Sequence, residues 1–200
     1  MITNLVSIIS LSKMRVKNYM YPFMVCNSAA NLVYMLLCGF VFVLRCGRLC
    51  PTNKNSFAVI FYQLAIWYYL TSCLALFINL NEIVMCLQRY SYISNLDYFR
   101  FENFKVTCSI FILVSFLNYA PRFFFNYIKK VDNLYFFTAT EFKSSTVGIA
   151  LNIASSLIRG PVVIVIIITI NILTDLKFAE MINKKKLLTE KNRQLAEGEN

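Results

Sequence analysis

The sequence contains no histidine, so it lacks the commonest general base and a usual metal ligand. Its seven cysteines include no CxxC pair, which leaves a zinc cluster or a thioredoxin-like site without support. Charge is scarce: Asp, Glu, Lys and Arg make up 15%, against about 25% in ordinary globular proteins. The charges that remain cluster between long apolar runs, whereas a soluble amphipathic fold spreads them along every helix. There is no internal repeat and there are no paired acids in facing runs, which argues against a transporter or a membrane enzyme. Nothing in the residue types points to catalysis, a metal or a cofactor.

What is abundant is apolar. Hydrophobic residues account for 58% of the chain, above the roughly 45–50% of soluble domains. A formal net charge of +10 invites a nucleic-acid reading. A nucleic-acid binder, however, concentrates Lys and Arg on a folded face or arm. Here they stand at the ends of apolar runs, where they face anionic lipid headgroups instead. The expected partner is a lipid bilayer and not a nucleic acid. Cys26, Cys38, Cys73, Cys86 and Cys108 fall inside the apolar runs, where a thiol behaves as a small hydrophobe.

The longest run, residues 56–92, organises the rest. No charge interrupts it between Lys54 and Glu82, so it exceeds the roughly 20 residues a helix needs to cross the hydrocarbon. Gln63, Trp67, Thr71, Ala75, Asn79, Glu82, Cys86 and Arg89 recur at steps of three and four, the period of one helix face. A spanning helix with one polar face needs protein or trapped water beside it, so other spans must surround it.

Those spans are legible. Residues 1–12 are apolar but too short to cross, and are read as the end of a first transmembrane helix. Lys13, Arg15 and Lys17 follow, then an uncharged run over 18–45 with Asn27, Ser28, Asn31, Tyr34 and Cys38 close to one face. Residues 104–128 form the next span, with Arg122 near its end expected to snorkel toward the headgroups and Phe123, Phe124 and Phe125 suited to an interfacial belt. Residues 129–143 read as an aqueous loop. Residues 144–176 are the last span, with Arg159-Gly160-Pro161 in its middle. An arginine at that depth costs at least about 2.5–3.5 kcal/mol unless paired or hydrated, so Arg159, with Asn152, Ser155 and Ser156, marks a face turned to the bundle. Counted back from its end, Arg159 lies level with the stretch from Thr71 to Asn79, and a polar contact is expected there. Residues 178–200 form a polar tail, helical at first, with Glu180 and Lys184 spaced as a supporting pair.

The expected fold is therefore an all-α, polytopic transmembrane bundle over residues 1–177, with four full spans and a partial first helix. Twelve basic residues fall on the side of Arg89 and the tail and seven on the other. The excess of positive charge inside places Arg89 and the tail in the cytoplasm. Cys46 and Cys50, in the loop after the second run, could form a local disulfide or remain two free thiols.

Leu87-Gln88-Arg89-Tyr90, at the cytoplasmic end of a long polar-faced helix, resembles the Asp/Glu-Arg-Tyr motif of rhodopsin-like G-protein-coupled receptors. Asn4, the Lys17-Asn18-Tyr19 loop, Pro121 and Pro161 resemble that family's landmarks in order and spacing, with the texture of divergent invertebrate peptide or chemosensory receptors. The resemblance implies a partial seven-transmembrane fold reaching from the end of helix one to the third intracellular loop. It implies a multi-pass protein of the plasma membrane whose partners are an extracellular ligand and a heterotrimeric G protein. Coupling would fall to Gln88, Arg89 and Tyr90. Ligand binding would fall to Trp67, Thr71, Ser72, Ala75, Asn152, Ser155 and Arg159, the last through a ligand carboxylate such as a peptide C-terminus. The chain departs from the pattern in several places. Gln88 replaces the acid beside the Arg, Ser28 replaces the sodium-binding acid, and Phe111 stands at the fourth-helix Trp position. The Cys of the usual outer bridge is missing, which leaves Cys46 and Cys50 as the outer candidates. The other readings are a small multi-span structural or scaffold protein, or a receptor gene copy without function.

Overall fold

A computed structural model describes residues 2–13, 20–44, 56–94, 96, 103–132 and 134–198. Four helices among them are long and apolar enough to cross a membrane: Met20–Phe40, Phe57–Ser94, Phe104–Phe124 and Thr146–Glu190. Before them, α1 covers Ile2–Lys13, and α2 then runs from Met20 to Leu44 with Pro22 in its first turn, where a missing N–H does no harm.

The third span is one rod in three pieces. Ser56 caps α3 (Phe57–Phe61) by accepting a hydrogen bond from the Val59 amide. A wide π-helical stretch follows over Tyr62–Leu70, and α4 (Thr71–Ser94) restores the ordinary pitch. Where the pitch changes, the Thr71 and Ser72 hydroxyls donate to the Trp67 and Tyr68 carbonyls. These bonds satisfy backbone acceptors that a membrane interior does not hydrate.

This rod is the centre of the molecule. Of its most apolar stretch 44% is buried, against 17% for each of the other three spans. One core cluster joins Phe77, Ile78 and Val84 of α4 to Phe23 and Ala30 of α2 and Cys108 of α5 (Phe104–Tyr119). A second joins Cys73 and Leu76 to Tyr119, which is wholly buried. The sides of α5 and of the last helix that face away carry exposed Ile, Leu, Val and Phe, as a lipid-facing surface does.

Two expectations need correction. The helix of this span ends before 128, and the segment expected to be a loop is an ordered hairpin within an otherwise helical chain. α5 tightens into a 3₁₀ turn over Ala120–Phe124, and an antiparallel hairpin follows, β1 (Asn126–Val131) with β2 (Leu134–Ala139). The register runs from Asn126 opposite Ala139 to Val131 opposite Leu134. Helix therefore stops at Phe124, short of the expected limit at 128. Two aromatic-rich, β-prone runs either side of Asp132-Asn133 explain the hairpin, and Asp132 takes φ 47°, a left-handed conformation that Asp tolerates in tight turns. Its rings lie over the start of the central rod, Tyr135 edge-on to Phe57 at 5.4 Å and Phe137 stacked on Tyr68 at 5.2 Å.

A short helix α6 (Glu141–Ser144) turns the chain into the last rod, which comprises α7 (Thr146–Leu157), a wide turn over Ile158–Val162, and α8 (Val163–Gly198). Ser145 caps α7 at the Gly148 amide, 3.1 Å away. The wide turn surrounds Pro161, whose ring and missing N–H disrupt the ordinary four-residue ladder. Beyond Thr174 the helix continues as a polar arm, with Glu180 bridged to Lys177 at 2.6 Å and to Lys184 at 2.8 Å.

Candidate functional site

The polar groups of the bundle converge on Ser72, the second residue of α4. Its hydroxyl donates to the Tyr68 carbonyl at 3.0 Å and accepts from two arginines of different helices. Arg122 Nη1 lies 2.8 Å from the Ser72 oxygen, and Arg159 Nη1 lies 3.5 Å from it. Arg159 is also held through its backbone, since Asn79 Nδ2 donates to the Arg159 carbonyl at 2.8 Å inside the wide turn around Pro161. The Tyr34 side chain of α2 adjoins the Arg159 guanidinium.

Arg122 is a third correction. It turns inward, toward Ser72, where a side chain reaching outward is expected. The 3₁₀ turn that begins beside Pro121 directs Phe123 and Phe124 outward, while the guanidinium lies over the buried Tyr119 ring, 4.7 Å from its centroid. That cation–π contact supplies one face of its surroundings. Its Nε atom is buried with no hydrogen-bond partner among the described residues.

Tyr119 and Ser155 lock the same corner. The Tyr119 hydroxyl donates to the Ser155 carbonyl at 3.4 Å, and the Ser155 hydroxyl donates to the Asn118 carbonyl at 3.3 Å. The central rod, the end of α5 and the wide turn of the last rod are thus tied at one level.

No described carboxylate bonds either arginine. Glu180 is engaged with lysines on the polar arm, Asp132 sits at the hairpin tip, and Glu82 lies ten residues further along α4 with no hydrogen bond to a described residue. Two unit charges about 6 Å apart at an effective dielectric near 20 repel by about 3 kcal/mol. A neutral hydroxyl offsets little of that, and the two positive charges of the corner meet no carboxylate among the described residues.

Of the residues expected to bind a ligand, Thr71, Ser72, Ser155 and Arg159 gather here. Trp67 and Ala75 are half-buried on the same rod, while Asn152 and Ser156 are exposed and face away from the corner.

The other end of the rod carries Gln88, Arg89 and Tyr90. Arg89 is exposed, Tyr90 is half-buried, and Gln88 is buried with both amide atoms unpartnered among the described residues. Asn81, at 0% exposure, has neither amide atom bonded among the described residues, and Asn27 Oδ1 and Ser115 Oγ likewise have no partner there. Cys46 and Cys50 lie outside the described residues.

Sequence reasoning missed Arg122 and Tyr119. The signal was the Pro121-Arg122 pair: a proline one residue before an arginine ends the regular helix, and the next side chain leaves the face its spacing assigns it.

The fold defines a mostly helical chain of four membrane-length helices, three of them packed round the fourth, a multi-pass membrane architecture. No family model and no curated protein matches the chain.

Proposed function

We propose that the chain is the membrane bundle of a rhodopsin-like receptor, binding an extracellular ligand at the Ser72 corner and engaging a heterotrimeric G protein through Arg89. The observation that carries this reading is the division of the central rod. One polar cluster joins three spans near its beginning, and an exposed arginine stands at its far end with no ion-pair partner among the described residues. The resemblance of Gln88-Arg89-Tyr90 to the receptor motif supplies the role of that end. Because Gln88 is neutral, no acid next to Arg89 holds it in an uncoupled state, and coupling without ligand follows. The site is organised for recognition, with no nucleophile–base pair at the corner and no cluster of three His, Cys, Asp or Glu among the described residues.

The test is G-protein dissociation in cells expressing the protein. Basal coupling above mock-transfected cells is expected, falling to background with Arg89→Ala and reduced by Gln88→Glu, which restores an acid beside the arginine. Surface-expressed protein with no coupling, and no difference between wild type and Arg89→Ala, would overturn the receptor reading in favour of a multi-span scaffold.

A further inference from the structure

We propose that Arg122 and Arg159 form an oxyanion site beneath the hairpin, which takes a carboxylate or phosphate group between the two guanidiniums. This rests on the reading of the outer bundle as a ligand pocket. It adds a second cationic residue, Arg122, and names the chemical class of the group recognised.

Three observations carry it. Both guanidiniums, from different helices, aim at one point, the Ser72 oxygen, at 2.8 and 3.5 Å. That oxygen is neutral, and no described carboxylate bonds either arginine. Moreover, Arg122 Nε is a buried donor with nothing to donate to among the described residues. Guanidinium groups present planar forks that match an oxyanion in a bidentate manner, and they bind it most strongly where water is scarce. Like charges held together in an apolar bundle are costly, and one anion between them removes the repulsion while satisfying the spare donor.

The surroundings favour a group arriving from the hairpin side. Arg122 ends the helix that leads directly into β1. Phe137 of β2 stacks on Tyr68, whose carbonyl accepts from Ser72, so the hairpin lies one helical turn from the two arginines. Arg159 is anchored by Asn79 through its backbone, which leaves its side chain available to turn toward a ligand.

Trp67, the single tryptophan, precedes Ser72 by five residues and reports on the site. The full chain in phosphatidylcholine nanodiscs is titrated with N-acetyl-leucyl-leucine, which has a free carboxylate, and separately with its C-terminal amide. A saturable Trp67 fluorescence change with the acid and none with the amide is expected. Arg122→Gln and Arg159→Gln should each weaken it roughly tenfold or more, the loss that follows from removing one charge-assisted pair. Arg122→Lys keeps the charge without the fork and should fall between.

A second arm replaces part of the phosphatidylcholine with phosphatidic acid. A shift of the wild-type signal in those discs, absent in the Arg122→Gln/Arg159→Gln double variant and competing with the acid, assigns the same site to a lipid phosphate. A flat wild-type response to both anions overturns the proposal whatever the variants do, and so does an equal response from the double variant. Because binding is read directly, loss of G-protein coupling with intact anion binding sinks only the receptor reading, and the reverse sinks only the site.

Discussion

Ser72 is a small side chain with a large share of the polar bonding in the bundle. It accepts from Arg122 and Arg159 and donates to Tyr68, so one hydroxyl joins the central rod to two neighbouring helices. Ser72→Ala removes the acceptor and leaves two cationic donors facing a methyl group. The expected loss is about 1–3 kcal/mol, the range for donors left unsatisfied in a buried place. Thr71→Ala gives up only a bond to its own helix at Trp67 and should cost under about 1 kcal/mol. Reversible unfolding of the chain in mixed micelles, with denaturant as the variable, separates the two. Equal losses would show that Ser72 does no more than cap a carbonyl. The same scale shows where sequence reading stops. The spacing of Arg159 and its depth put it opposite Thr71 to Asn79, and the bonds to Ser72 and Asn79 lie there. Arg122 was legible only as a charge at a helix end, because whether such a side chain turns outward or inward depends on the 3₁₀ turn that carries it.

At the scale of elements, apolar runs and caps are local properties, and for that reason the helices were readable. Length and hydropathy alone mark the four spans, and Ser56 and Ser145 stand where helix starts need them. The hairpin was not readable by the same means, since its strands are short and are held by pairing with each other and by rings stacked on the central rod. The corner between α6 and α7 is a further case of non-local demand. A Cβ at Gly148 would collide with the Phe142 carbonyl oxygen, a backbone atom that cannot swing aside. Gly148→Ala should therefore open the corner at a cost on the order of 1–3 kcal/mol. A control at Gly160, where a Cβ meets nothing within 4 Å, should cost far less. Limited proteolysis between β2 and α7 reads the difference, and protection of both variants to the same degree would refute the close approach.

At the scale of the whole molecule, the chain has a direction. The central rod and the last rod run the same way, because a single span, α5, returns the chain between them. The hairpin follows the far end of α5, and Arg89 and the polar arm lie at the opposite end. The excess of basic residues on the Arg89 side predicts that this side faces the cytoplasm. A glycosylation acceptor inserted after Asp132 should be modified in cells, and one inserted near Lys184 should not. The reverse pattern would invert the molecule and move the arginine corner to the cytoplasmic leaflet.

The unequal lengths of the spans bear on the choice of membrane. Phe104–Phe124 has 21 residues, about 31 Å as helix and close to the thickness of a typical hydrocarbon layer, and α2 (Met20–Leu44) has 25, about 37 Å. Phe57–Ser94 has 38 residues and Thr146–Glu190 has 45, about 57 and 68 Å at the same rise. The shortest helix therefore sets the thickness at which the protein is at ease, while the longer ones adjust by tilting or by standing clear of the lipid. In a thicker, sterol-rich bilayer that helix is stretched first, and its last turn holds Arg122.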